Sequence, residues 1–249
     1  MHTEALLTRL DSRRRDAMLD LASSCCPRLD VRAYLAPRLS RYDYAIVREA
    51  EGELLAFELV QDFEEGGDRH VYLGPLFSRR VACVPMFVEF FAAIARTSPR
   101  GFHLLAEVQN PRIALVLKRL FLRSSFPRLD SPTHPPTVDR VVRRFCARIP
   151  HIGPVEPGSL RGRGSETLFR HAPAYESIVR WMRRRGVNLE QGDSQLFVVS
   201  CDGSTAARAA LSLDLETGGR ALEDWPACKR QMLDAFERDA EPSEERPRR

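Results

Sequence analysis

Three carboxylates, Glu58, Asp62 and Glu107, stand in or beside strand-like apolar runs of this chain. A carboxylate in a partly apolar cleft is held toward its neutral form and can take a proton from an amine. On an alternating strand the same residue can instead point to solvent; Glu58, between Phe57 and Leu59, faces opposite both. Asn110 separates the run Phe102–Val108 from an amphipathic segment carrying Ile113, Leu117 and Leu120. Its side-chain oxygen suits a helix N-cap, and Pro111 suits the first turn, where a missing N–H costs nothing. The same amide can also align a bound substrate. Arg79 and Arg80 precede a predicted helix start. Two guanidinium groups there can pair with phosphate or be solvated loop residues. Cys83 beside them is either a thiolate stabilised by the helix N-terminus or a small buried hydrophobe.

Other patterns carry less. Arg161-Gly-Arg-Gly-Ser has the look of a phosphate loop but does not follow the strand that would present it, and reads as a flexible loop. His70, His103, His134, His151 and His171 lack metal-ligand spacing, so no metal is expected. No Walker loop, dinucleotide fingerprint or Ser-His-Asp pattern is present. Arg180, Arg183, Arg184 and Arg185, with Arg143, Arg144 and Arg148, form either a solvated helix surface or a basic face for RNA or acidic partners.

The elements that must position these groups follow from periodicity. Tyr44–Ala50 and Glu53–Val60 read as hairpin strands joined at Glu51-Gly52; Gly66-Gly67 makes a second turn, and His70–Phe77 is a third strand. Pro85 opens an apolar helix over Met86–Arg96, which leads into the strand Phe102–Val108 and the helix after Asn110. Residues 4–40 read as helical, broken at Pro27 and Pro37, with no clear strand before them. Beyond a Pro-rich connector (126–136), helices are predicted over Thr137–Ile149 and Ala174–Arg185, the second stopped by Gly186. A Gly/Pro loop spans 150–165, and a late strand within Gly192–Cys201 is expected to join the same sheet. A final helix, Leu222–Arg238, precedes a charged tail, 239–249, of disordered composition. One domain over 1–238 is expected, with its core at 41–122 and its completion at 123–238.

Composition sets the bounds. An apolar content of 43 % fits a globular protein, and a net charge of +4, almost all from arginine, does not by itself imply nucleic acid. The N-terminus lacks the continuous apolar core of a signal peptide. The longest apolar run, near Val81–Ala95, is interrupted and shorter than the ~20 residues a membrane span needs, so no membrane partner is expected. Six cysteines without framework spacing point to a reducing cytoplasm.

Taken in order, Glu51-Gly-Glu-Leu-Leu-Ala-Phe, Leu73-Gly-Pro-Leu-Phe and Asn110-Pro-Arg-Ile-Ala resemble the hairpin, the fourth strand and the Asn-x-Arg-Ala segment after the fifth strand of the GNAT superfamily of acyl-CoA N-acyltransferases. The resemblance covers residues 41–122, about a third of the chain. It implies an α/β (α+β) fold, a mixed, mostly antiparallel sheet with helices on both faces. It also implies transfer of an acyl group from acyl-CoA (acetyl-CoA in the simplest case) to a small-molecule amine or a peptide. Glu58 or Glu107 would be the base, often acting through water, and Asn110 would align the donor. Backbone N–H groups at Leu76, Phe77 and Ser78 would meet the oxyanion and pantetheine, and Arg79 and Arg80 the phosphates. The donor would lie in the split between Val71–Phe77 and Phe102–Val108. Two departures stand out: Cys83 and Pro85 occupy positions where the family has the glycines of its pyrophosphate loop, and Leu117 occupies the position of a frequent proton-donating Tyr. Two further readings therefore stay open: a non-catalytic binding or regulatory module, and a transferase using aminoacyl-tRNA or an acyl-carrier protein. For the latter the Arg-rich helices would dock the RNA or carrier.

Overall fold

The computed structural model describes residues 2–6, 11–26, 30–79, 82–98, 100–121, 124–129, 131, 133–149, 154–156, 158–164 and 175–217. The predicted helix Leu222–Arg238, the tail 239–249 and Arg80 lie outside the described residues. The chain divides into two compact units, one built from residues 1–107 and 198–223, the other from 108–197 and 224–249.

The first unit runs β1 (His2–Leu6), α1 (Ser12–Cys25), α2 (Val31–Leu39), β2 (Tyr44–Ala50), β3 (Glu53–Glu65), β4 (Asp68–Ser78), α3 (Cys83–Thr97) and β5 (Phe102–Val108). It ends with the second half of β9 (Ser194–Cys201) and with α7 (Gly203–Thr217). The sheet order is β1-β2-β3-β4-β5, followed by β9. The first three pairs are antiparallel and β4–β5 is parallel. This is the expected mixed, mostly antiparallel sheet flanked by helices. Both hairpins close on two-residue turns with positive φ at each central residue: Glu51-Gly52 at 53° and 80°, Gly66-Gly67 at 65° and 83°. Such turns match the right-handed twist of the strands they join.

Alternation and register assign the faces. Glu58, Val60 and Asp62 share one face with Ile46, Leu73 and Val71. Phe57 and Gln61 share the other with Phe77, Tyr72 and, through the β4–β5 ladder, Leu105. Helix α3 covers the Glu58 face: Arg69, on that face, reaches the Thr97 and Ser98 hydroxyls at 2.8 and 2.7 Å. Met86, Phe90, Phe91 and Ile94 of α3 are buried; α7 packs on this helix, and its Ala206, Ala209 and Ala210 are buried. Helices α1 and α2 pack together, and α1 contacts β3 and β4.

The second unit contains α4 (Pro111–Leu120), β6 (Ser125–Phe126), α5 (Pro136–Arg148), β7 (Val155–Glu156), β8 (Arg161–Gly162), α6 (Glu176–Arg184) and the first half of β9. Asn110 caps α4, its Oδ1 accepting the Arg112 N–H at 3.0 Å, with Pro111 in the first turn. The buried stripe of α4 includes Ala114, Leu117 and Lys118. The Lys118 amino group donates to the Ser125 carbonyl and hydroxyl at 3.2 and 3.1 Å and to the Pro127 carbonyl. Gly186 adopts φ 80° after α6, as a helix-stopping residue should.

Four features differ from the sequence reading. A first strand, β1, exists; it pairs with β2 from His2↔Arg48 to Leu6↔Tyr44. Pro37 does not end α2, which continues to Leu39, because a proline in the last turn forfeits only one N–H. Helix α7 follows the late strand, where periodicity gave no helix. Arg161-Gly-Arg-Gly is not a free loop: β8 pairs with β9, Arg161 donates to Asp193 at 2.8 Å, and Arg163 lies 2.7 Å from Glu156.

Candidate functional site

The parallel ladder between β4 and β5 runs from Arg69↔Phe102 to Leu73↔Ala106 and stops there, while β4 continues to Ser78. Over Gly74–Ser78, β4 keeps β3 as a neighbour but has no β5 partner among the described residues. Just past the end of the ladder β4 bulges. Glu58 pairs with Leu76 and Val60 with Leu73, so Gly74 and Pro75 together oppose the single Leu59. Pro75 contributes no N–H to either edge. Gly74 admits the Tyr42 ring: a Cβ there would sit 2.4 Å from Tyr42 Cε1. Glycine is required for this close approach.

Tyr42 stacks on Tyr72 with ring centroids 6.2 Å apart. The Tyr72 hydroxyl, reaching from β4 toward β5, donates to Glu107 Oε2 at 2.9 Å. Burial first, and the Glu107 charge next, push the Tyr72 phenol well above its usual range. It therefore stays protonated and remains a hydrogen-bond donor. Burial, with the Tyr34, Glu107 and Glu58 charges, raises the Tyr42 phenol as well. Arg38 lies over the Tyr34 ring at 3.9 Å. Glu107 is half-buried, so the cluster is a carboxylate oriented by a phenol beside the open end of a strand pair.

Glu58 occupies the opposite face. It is 3 % exposed, and its Oε2 has no hydrogen-bond partner among the described residues. Burial alone pushes its carboxyl well above the usual carboxylate range. Burial thus favours the protonated form of Glu58, the form that takes no proton. Asp62 is committed elsewhere: Arg69 holds it in a fork, Nε to Oδ1 at 2.9 Å and Nη2 to Oδ2 at 2.5 Å, and the Tyr44 hydroxyl adds a third bond at 3.2 Å.

Leu76, Phe77 and Ser78 lie on the segment of β4 that has left β5. Phe77 packs on Phe57, centroids 5.3 Å apart. Ser78 Oγ accepts the Cys83 N–H at 3.0 Å and so caps α3. Pro85 has no N–H, so two of the first three donors of α3 are unavailable to an anion. The Arg79 backbone N–H donates to the Leu55 carbonyl at 2.9 Å, and its guanidinium pairs with Glu53 at 3.0 Å across the hairpin. Cys83 is half-buried. Asn110 belongs to the second unit, where its side chain is the α4 cap described above.

Tyr42 and Tyr72 escaped the sequence reading. Tyr72 sits inside a strand whose alternation alone explains it, and Tyr42 lies 30 positions earlier in a turn before β2. The one available signal was the Gly-Pro at 74–75, which interrupts a strand and marks a close approach. Compared with known proteins, the chain matches no protein-family model, and no curated protein is significantly similar to it.

Proposed function

We propose that the chain transfers an acyl group from a thioester, acyl-CoA or a carrier-bound pantetheine, to an amine. The observation that carries this reading is the Tyr72–Glu107 pair beside the end of the β4–β5 ladder. There β4 offers backbone N–H groups without a β5 partner, as an oxyanion donor requires. The order of three antiparallel strands, helix, strand and helix, from β2 to α4, is compatible with the GNAT resemblance. In this reading the amine enters on the Tyr72 face. Glu107 takes its proton directly or through water, and Tyr72 holds the carboxylate in place. The amine nitrogen bonds to the thioester carbon, the C–S bond breaks, and the thiolate leaves. Leu117 donates no proton, and a thiol pKa near 8.5 makes thiolate release tolerable at neutral pH.

One observation favours a carrier-bound donor over free acyl-CoA. Of the groups expected to hold pyrophosphate, those among the described residues are engaged: Arg79 is paired with Glu53, and the α3 N-terminus is capped by Ser78 and has no N–H at Pro85. The test is calorimetry and a thiol-release assay with acetyl-CoA, longer acyl-CoAs and acylated carrier protein over a panel of amines. CoA affinity in the micromolar range or weaker, above about −8 kcal/mol, with turnover from at least one donor is expected. Neither heat nor thiol release from any donor would replace the transferase with a binding module.

A further inference from the structure

At the opposite end of the β4–β5 pair lies a pocket of about 370 Å³, walled by Asp68, Arg100, His103, Ser200, Asp202 and Thr205 among others. Three of these residues come from separate elements: Asp68 begins β4, His103 lies in β5 and Ser200 in β9. Ser200 is exposed, and its Oγ lies 2.9 Å from His103 Nδ1. The other ring nitrogen, Nε2, lies 3.9 Å from Asp68 Oδ2. His70, fully buried, backs the His103 ring with centroids 5.2 Å apart, and its own Nδ1 is bonded to the Asp68 carbonyl at 2.9 Å. The imidazole is thus hydrogen-bonded to the Ser200 hydroxyl on one side and has the Asp68 carboxylate nearby, though not in hydrogen-bond contact, on the other.

We propose that this pocket is a second, hydrolytic site in which Ser200 is the nucleophile, His103 the general base and Asp68 the positioning residue, acting on small acyl esters. With the ring proton on Nε2, toward Asp68, Nδ1 accepts the Ser200 proton as Oγ bonds to the ester carbonyl carbon and the carbonyl π pair moves onto oxygen. The imidazolium then faces the Asp68 carboxylate. Collapse breaks the C–O bond of the ester, and the departing alkoxide takes the proton from His103. Water repeats the sequence on the acyl-serine, its proton passing through His103 to regenerate the Ser200 hydroxyl. Arg100 supplies positive charge on the pocket wall. The neighbouring groups do not compete for the nucleophile's role. Burial pushes the Cys201 thiol up to about 12, and Asp202 is engaged as the α7 cap by Ser204 and Thr205.

The test needs no CoA, so its outcome is separate from that of the acyl-transfer reading. The full chain is treated with a fluorophosphonate probe and, in parallel, assayed for p-nitrophenyl acetate hydrolysis. One adduct per chain on Ser200 is expected, with hydrolysis falling roughly 10²–10⁴-fold in Ser200→Ala and in His103→Ala. Asp68→Asn should lower kcat with KM unchanged, and Asp68→Glu should restore part of it, a split that a folding defect would not give. Should His103→Ala fail to fold, Ser200→Cys supplies the second reading: iodoacetamide should alkylate the introduced thiol faster than a free cysteine at the same pH. Three results would each overturn the proposal and leave a cross-strand hydrogen bond. They are hydrolysis by Ser200→Ala at the wild-type rate, a label on another residue or none, and alkylation of the Ser200→Cys variant no faster than of free cysteine.

Discussion

Two glutamates two strands apart in one sheet have opposite fates. Glu58, under α3, is buried away from water, and among the described residues its Oε2 has no hydrogen-bond partner. Glu107, on the other face, keeps partial access to solvent and receives a hydrogen bond from a phenol that cannot easily lose its proton. The contrast separates burial from readiness. Desolvation alone favours the protonated acid, whereas partial exposure with a fixed phenolic donor keeps a carboxylate oriented.

Substituting the two residues in parallel breaks the comparison most directly. Glu107→Gln should lower kcat for acyl transfer by roughly 10²–10⁴ while leaving donor affinity intact, and Glu58→Gln should leave kcat within a few-fold of wild type. Equal losses in both, measured by thiol release, would end the distinction between the faces. The next largest effect is structural. Gly74→Ala drives a Cβ into the Tyr42 ring and should cost about 1–3 kcal/mol of stability, read by urea unfolding. Wild-type stability would mean that the tyrosines of this face do not depend on the bulge.

A pH series sharpens the Glu58 side. Its folded-state pKa is raised, so protonation favours the folded state. Its contribution is complete below the ordinary value of 4.5 and is lost as pH rises toward the folded value. Wild type should therefore lose stability relative to Glu58→Gln from about pH 5 upward, by at most about 1.4 kcal/mol per pH unit, the slope of one proton. Parallel curves for the two proteins would show that Glu58 is solvated. The smallest effect belongs to Tyr72→Phe, which removes one hydrogen bond to a carboxylate. A fall in kcat of about tenfold, with little change in KM, is expected; an unchanged kcat would release Glu107 from its phenol.

The elements of the first unit were legible where the pattern was long or punctuated. The Gly turns at 51–52 and 66–67 delimited β2, β3 and β4, and in the second unit the Asn110-Pro111 cap marked the start of α4. Strand β1 was not legible, because five residues at the sheet edge owe their form to pairing with β2 rather than to their own alternation. Helix α7 is rich in alanine and serine over its first turns, so its buried side shows little periodic contrast. The candidate sites were legible only in part. Glu107 could be named from a strand, but the Tyr72 hydroxyl that bonds it, and Tyr42 stacked on that ring, are brought to it only by tertiary packing. Asp68, His103 and Ser200 are brought together by sheet order from positions that share no spacing. Lys118 was not legible either: the face read for α4 was Ile113, Leu117 and Leu120, and a lysine is buried beside Leu117 only because the 125 and 127 carbonyls receive its amino group.

The first unit is written in two instalments. Residues 1–107 leave the ribosome first, and the part of the strand that flanks β5 and the helix that covers α3 arrive only after a further stretch, residues 108–197. At roughly 5–20 residues per second that interval is on the order of ten seconds. For its duration a nascent chain displays an unpaired β5 edge and the apolar side of α3, both invitations to intermolecular pairing. Completion of this unit waits until the chain has been made past Val198, and a truncation at Phe197 would make the exposed state permanent.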